Sequence, residues 1–256
     1  MSELENLTSE DWPEPVVVLN ESGTSDIVFI CEHASNHMPA SFGKLGLPGS
    51  DLERHIAWDI GAEAVTRGLS ERLNAVCFLG TYSRLLIDLN RPIDSETCIP
   101  VRSENTVIPG NIDISADDRN QRIKRIYQPF HDRIDKHLDK RLHGGKKTKI
   151  VAIHSFTPTF LGNKRQWHAG ILFNQSRQLA DRMISALRYD GTLSVEANVP
   201  YVIDRRDDYA IPVHGEDRGL DAILVEIRQD LIHSASGQTE WAHRLANALG
   251  TSAETN

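Results

Sequence analysis

Ala222-Ile223-Leu224-Val225-Glu226-Ile227-Arg228-Gln229 is the stretch on which the reading of this chain turns. An apolar run of strand length leads straight into a carboxylate. Burying an unpaired carboxylate costs several kcal/mol or forces its neutralisation. Glu226, two residues before Arg228, therefore reads either as half of a structural ion pair or as a carboxylate aimed into a site. Two other segments favour the site. Ile150-Val151-Ala152-Ile153 runs into His154-Ser155, and Ile27-Val28-Phe29-Ile30-Cys31 runs into Glu32-His33. Three apolar runs that each end in an ionisable residue describe one sheet with its chemistry along one edge.

Around these runs, strand and helix signals alternate. Strands are expected near 15–19, 26–31, 75–80, 84–89, 149–154, 168–174, 199–203 and 222–227, and amphipathic helices near 51–73, 116–142, 175–190 and 237–249. In the second helix Ile123, Ile126, Tyr127, Phe130, Ile134 and Leu138 recur at steps of three and four, the signature of one helical face. Pro129 falls inside that pattern and implies a kink or two shorter helices. Alternation of this kind predicts an α/β fold with a mixed, mainly parallel sheet covered by helices. Such sheets place their sites beyond the C-terminal ends of the strands. His33, His154 and Glu226 all fall there.

The chain of 256 residues is long enough to bury a substantial core, and its 39% hydrophobic and 25% charged residues are those of a globular protein. A single domain over 1–256 is expected, with residues 1–12 and 250–256 as flexible tails. The net charge of −8 argues against nucleic-acid binding, which needs a basic surface. The chain has no apolar run long enough to span a membrane and no signal-peptide pattern near its start. Cys31, Cys77 and Cys98 form no disulfide framework, so the expected compartment is the reducing cytoplasm.

Eleven histidines invite a metal reading. His131, His137 and His143 lie along a polar helix and read as solvated, as do His233 and His243. His33 and His154 differ, because each follows a buried strand directly. As a pair on two strand ends they read as metal ligands, and a catalytic zinc site commonly adds one carboxylate and leaves a position for water. Asp59 is a candidate for that carboxylate, although an Asp at a helix start also serves as an N-cap or first-turn charge. Glu32, Asn36 and His55 compete with it. A second dense segment is Tyr82-Ser83-Arg84-Leu85-Leu86-Ile87-Asp88-Leu89-Asn90-Arg91-Pro92. Arginine suits bidentate recognition of a carboxylate. Arg84 and Arg91 either serve that purpose or pair locally with Asp88 or Asp94.

Five segments resemble the N-formylglutamate amidohydrolase family, in order and over nearly the whole chain. They are Cys31-Glu32-His33-Ala34-Ser35, His55-Ile56-Ala57-Trp58-Asp59-Ile60-Gly61-Ala62, Ser83-Arg84-Leu85 with Asp88-Leu89-Asn90-Arg91, Ile153-His154-Ser155-Phe156, and Val225-Glu226-Ile227-Arg228-Gln229-Asp230-Leu231. The family in turn is similar to the zinc carboxypeptidases and aspartoacylase. The resemblance implies a three-layer α/β/α, phosphorylase/hydrolase-like fold. It also implies a Zn2+ cofactor, Asn90-Arg91 as a clamp for the substrate carboxylate, Glu226 as general base and Arg84 as a carbonyl-polarising group. Where the carboxypeptidases carry His-x-x-Glu, this chain reads His33-Ala34-Ser35-Asn36. Segment 36–58 then reads as an insertion, and Asp59, which opens the following helix, as the second ligand beside His33 and His154.

The activity implied is zinc-dependent hydrolysis of a small anionic N-acyl amino acid such as N-formylglutamate. A second acidic group on the substrate needs a further cation, for which Arg205, Arg206 and Arg218 are candidates. His214, in the loop before the last strand, is a candidate substrate contact. Two rivals use the same parts: a zinc carboxypeptidase acting on peptides, and a metal-free ligand-binding relative.

Overall fold

The computed structural model describes residues 12–189 and 191–251. Seven strands form one sheet: β1 (Val16–Leu19), β2 (Ile27–Cys31), β3 (Val76–Gly80), β4 (Lys149–Phe156), β5 (Ala169–Leu172), β6 (Val195–Ala197) and β7 (Asp221–Arg228). Their order is β1-β3-β2-β4-β7-β5-β6. The central strands β3, β2, β4 and β7 run parallel; β1 joins β3 and β5 joins β7 in the antiparallel sense. Five helices complete the frame: α1 (Ala62–Leu73), α2 (Ala116–Arg122), α3 (Gln128–His143), α4 (Arg177–Arg188) and α5 (Ala235–Thr251).

The alternation of side chains along each strand divides the core into two layers. On one face Phe29, Cys31, Val151, Ile153, Ile223 and Val225 pack against α1, α4 and α5. On the other, Val28, Ile30, Ile150, Ala152 and Leu224 pack against α3 and the apolar segment around Leu85–Leu89. This is the expected three-layer α/β/α arrangement. Among the described residues no helix is long and apolar enough to cross a membrane.

Several expectations are corrected. Residues 84–89 form no strand. Leu85, Leu86, Ile87 and Leu89 are all buried, but the backbone runs through turns, with Leu86 N donating to Ser83 O and Asp88 N to Cys98 O. Apolar burial there comes from packing under the sheet rather than from pairing within it. The strand expected at 199–203 is displaced to β6, and 199–203 becomes an irregular segment along the site. The helix expected over 51–73 breaks into one turn at Gly49–Leu52 and α1. A π-helical stretch, Ile123–Tyr127, separates α2 from α3 and puts Pro129 in the first turn of α3, where a missing N–H costs little. Of the expected tails, Trp12 is ordered with Arg125 over its ring, and α5 continues through residues 250 and 251. Residues 1–11 and 252–256 lie outside the described residues.

Gly61 stands between the site and α1. Its φ is +82°, and a Cβ there would lie 2.1 Å from the carbonyl oxygen of Ile232. Only glycine fits both conditions, and the tight turn it allows sets Asp59 against the end of β2, with Asp59 N donating to His33 O at 2.9 Å. Gly61→Ala is expected to destabilise the fold by at least about 2 kcal/mol, since left-handed strain and a backbone clash add. Gly162 also has a positive φ (+81°) but has nothing within 4 Å. Gly162→Ala should cost only about 1 kcal/mol. Urea denaturation of both variants checks the difference; equal losses would mean that the contact with Ile232 is not a constraint.

Candidate active site

The C-terminal ends of β2, β4 and β7 open into a cleft of about 640 Å³ lined by His33, Asp59, Arg84, Arg91, His154 and Glu226 among others. His154 and Glu226 are register partners on adjacent parallel strands and so point to the same face. His33 lies two residues past the end of β2, and its ring meets that of His154 edge to face at 4.8 Å between centroids. Asp59 reaches in from the turn before α1.

The two imidazoles are held from outside and converge inside. His33 Nε2 lies 2.7 Å from Asp88 Oδ1, and His154 Nε2 lies 2.9 Å from Glu32 Oε2. Each Nδ1 then faces Asp59 Oδ2, at 3.4 Å from His33 and 2.9 Å from His154. With each Nε2–H donated to its carboxylate, both Nδ1 lone pairs point at a carboxylate oxygen. Two lone pairs and an anion in contact require a cation between them, a proton or a metal. Nδ1 of His33 is buried and has no hydrogen-bond partner, although an acceptor of the right sign stands beside it. His33, Asp59 and His154 offer one ligand atom each within 4.8 Å of one another. The donor set, two imidazoles and a carboxylate, suits zinc, and carboxylates on the outer nitrogens are the usual means of fixing a metal-binding tautomer.

Asp59 is not an N-cap: its side chain makes no bond to the helix, and Gly61 holds that position. Its carboxylate also accepts Ser155 N at 3.2 Å and stands 3.4 Å from Arg84 Nη1. Burial acts to raise its pKa, but His33 and His154 more than offset this and hold the carboxyl well below the usual range. Burial works the same way on Asp88, where Arg84 and His33 win, and on Glu32, where His154 wins. For His154 burial disfavours the charge, yet Glu32 and Asp59 raise its pKa well above the ordinary value. The centre behaves as an anionic cradle looking for positive charge.

Glu226 is the exception. It is 6% exposed, its Oε2 has no hydrogen-bond partner, and burial pushes its carboxyl up to about 7. Arg228 does not neutralise it, since the guanidinium turns to Asp230 at 2.8 Å. The structural ion pair considered from sequence is absent among the described residues.

Arg84 is fixed by Asp88, with Nε and Nη2 at 3.0 and 2.7 Å from Oδ2. Arg91 donates to the backbone carbonyl of Asp207 and stands 3.6 Å from Asp208 Oδ1. Asn90 is already committed: its Oδ1 accepts Tyr209 N and Ala210 N at 3.2 and 2.9 Å, and Nδ2 reaches Asp208 at 3.4 Å. Only Arg91 of that pair keeps an exposed charge at the cleft.

Four expectations are corrected. His214 does not contact the cleft from a loop; it is fully buried in a π-helical turn, between His131 at 2.9 Å and Asp135 at 3.0 Å. His131 is consequently buried rather than solvated. Arg205, Arg206 and Arg218 pair with Asp217, Asp204 and Asp135, and none of them lines the cleft. Among the ligand competitors, Glu32 holds His154 from behind, Asn36 donates to Leu52 O and His55 faces Glu104. Asp88 and Glu32 are the functional positions that sequence reading missed in their supporting role. Glu32 had a signal, since it must face away from its neighbour His33 if the strand direction continues.

Comparison with known proteins bears on the fold and the family. No curated protein matches the chain. A solved structure of a gene product from Agrobacterium tumefaciens is 37% identical, with a TM-score of 0.91 over 96% of this chain and 99% of that one. The N-formylglutamate amidohydrolase of Ralstonia eutropha JMP134 shares the fold at 17% identity, with a TM-score of 0.70 over 94% of this chain and 97% of its own. The sequence profile of that family matches residues 25–233, and the chain therefore belongs to the N-formylglutamate amidohydrolase family.

Proposed function

We propose that this amidohydrolase is zinc-dependent and cleaves the amide of an N-acyl amino acid with a free carboxylate, the acyl group being formyl in the first instance. The observation that carries the reading is the convergence of His33 Nδ1, Asp59 and His154 Nδ1 beside an unpaired Glu226. Zinc held by these three residues supplies a Lewis acid that eases the deprotonation of water near neutral pH.

The chain's own groups do the rest. Glu226 takes the proton of the attacking water and returns it to the leaving nitrogen as the C–N bond breaks, releasing the acid and the free amine. A carboxyl poised at about 7 is matched to both transfers. Arg84, held rigid by Asp88 and Asp59, directs its remaining N–H groups at the substrate carbonyl, where negative charge develops. Arg91 reads the substrate carboxylate. Asn90 positions the 207–210 segment beside it rather than touching substrate.

One zinc per chain is expected, and His33→Ala or His154→Ala should lose both metal and turnover. Elemental analysis of the purified variants decides this, and a variant that keeps stoichiometric zinc is not missing a ligand. Asp59→Ala should lose metal more completely than Glu32→Ala; the reverse order would make Glu32 the ligand.

Glu226→Gln should retain zinc and lose at least about 10²-fold in turnover. The same variant carries a stability signature in chelator-treated protein. A carboxyl raised from 4.5 to about 7 on folding holds a proton that the unfolded chain releases. Its stabilising contribution is complete below pH 4.5 and is lost as pH rises to about 7. Gln mimics the protonated form, so the variant should track wild type below pH 4.5 and exceed it by on the order of 3 kcal/mol above pH 7. Denaturant titrations at pH 4.5 and 8 measure the gap; parallel curves would show that folding does not raise the pKa of Glu226.

Arg91→Ala should lower kcat/KM at least tenfold, since charge-assisted bonds are worth about 1.5–3 kcal/mol. Amidating the substrate carboxylate should cost wild type a similar factor. The two losses should not add, because both delete one interaction. Full additivity would assign the carboxylate to another residue.

A further inference from the structure

The part of the cleft that the catalytic groups leave over has a definite chemistry. One wall consists of Phe156, Phe160, Tyr201 and Val202. Phe160 sits on a small hairpin, Thr159–Phe160 against Asn163–Lys164, and Tyr201 on the segment that follows β6. Gly170 brings that segment in. It is the register partner of Glu226, and a Cβ there would lie 1.6 Å from Val199 O, so the backbone of 199–201 approaches the sheet beside the general base.

The rings are braced from behind. The Arg165 guanidinium stands 4.8 Å from the centroids of Phe160 and Tyr201 and 5.6 Å from Phe156, and it donates to Tyr201 Oη at 2.9 Å. Arg165 itself does not line the cleft. Cation–π contacts of this kind fix ring positions at the surface. The apolar surface continues outward, with Val202 67% exposed and Leu161 at the hairpin tip 54% exposed. A pinned aromatic wall open to solvent at a cleft is what an apolar ligand group needs.

Charge along the same cleft points away from a dicarboxylate. Carboxyl groups outnumber arginines seven to three in its lining. Arg84 and Arg91 each face carboxylates of their own, and Arg102, without an ion pair among the described residues, lies on an exposed hairpin across the cleft. The arginines 205, 206 and 218, which could have met a second carboxylate, are engaged elsewhere. The volume, within the range for drug-sized ligands, exceeds what a formylated acidic amino acid fills.

We propose that the substrate is an N-acyl amino acid carrying one carboxylate and an aromatic group, which packs on the Phe160–Tyr201 wall. This rests on the amidohydrolase reading above and names the substrate class for that site. The ring can belong to the amino acid or to the acyl group, because the wall reads the ring in either case.

The test is a substrate panel with the zinc-loaded full chain: N-formylphenylalanine, N-formylalanine, N-formylglutamate and N-benzoylglycine. At least one aromatic compound should exceed N-formylglutamate in kcat/KM by tenfold or more. N-formylphenylalanine leading places the ring on the amino acid, and N-benzoylglycine leading places it on the acyl group. In Phe160→Ala the ratio of kcat/KM for the preferred aromatic substrate over N-formylalanine should fall about tenfold, mainly through KM. Arg165→Ala should lower the same ratio with zinc content unchanged, as expected of a positioning residue. Preference for N-formylglutamate, or a ratio unmoved in Phe160→Ala, overturns the proposal and leaves the hydrolase standing. Absence of turnover for every amide in the panel overturns the hydrolase reading and the proposal with it.

Discussion

The carboxylate of Asp59 is the point on which the site depends. One oxygen faces both inner imidazole nitrogens and accepts the backbone N–H of Ser155, while the other faces Arg84. These contacts come from the end of β2, from β4 and from the 83–91 segment, so one side chain ties three other parts of the chain to the turn before α1. Burying so many ionisable groups is tolerable only because each is paired. Asp88 and Glu32 repeat the logic one layer out, binding the far nitrogens and so fixing which nitrogen faces inward. Orientation of the two imidazoles is thus a property of the fold.

Glu226 shows the complementary use of burial. Its register partner His154 is bonded on both ring nitrogens, whereas Glu226 sits at the same depth with one oxygen bare. Desolvation, with the Asp59 charge adding to it, outweighs the pull of His154, Arg84 and His33 and moves its carboxyl up to about 7. Two carboxylates within one site, one held far down and one held up, are the usual mark of divided roles. In the mechanism proposed above, Asp59 stays charged and Glu226 exchanges a proton.

How far the sequence reveals this follows from the range of the signals involved. His33, His154 and Glu226 were legible because each interrupts an apolar run at a strand end, and a strand end fixes both the face and the edge. Asp59 was legible only through family resemblance. By itself it resembled a helix cap, and the discriminating feature, the left-handed Gly61 turned against Ile232, depends on a contact 171 positions away. Segment 84–89 was misread because its apolar residues are buried by packing, which leaves the same composition as a strand without the pairing. His131 was read as solvated because it lies along a polar helix, and His214 as a substrate contact because it precedes the last strand; the burial of both comes from the meeting of α3 with the turn before β7.

That meeting also explains why Asn90 and Arg91 part company. Tyr127, at the junction into α3, donates to the carbonyl of Arg91 at 2.8 Å, and its ring meets Tyr209 at 5.8 Å. Tyr209 stacks in turn on His131 at 4.2 Å, and His131 bonds His214, which Asp135 and Arg218 secure at the surface. Asn90 closes the circuit by accepting the N–H groups of Tyr209 and Ala210. A polar strut thus runs from the outer surface of α3 to the backbone on both sides of the Arg91 side chain. The side chain itself remains outside the strut and reaches the cleft. An arginine that must recognise a ligand gains from a backbone that cannot move, because less freedom is lost on binding. In this chain the asparagine supplies the immobility and the arginine the charge.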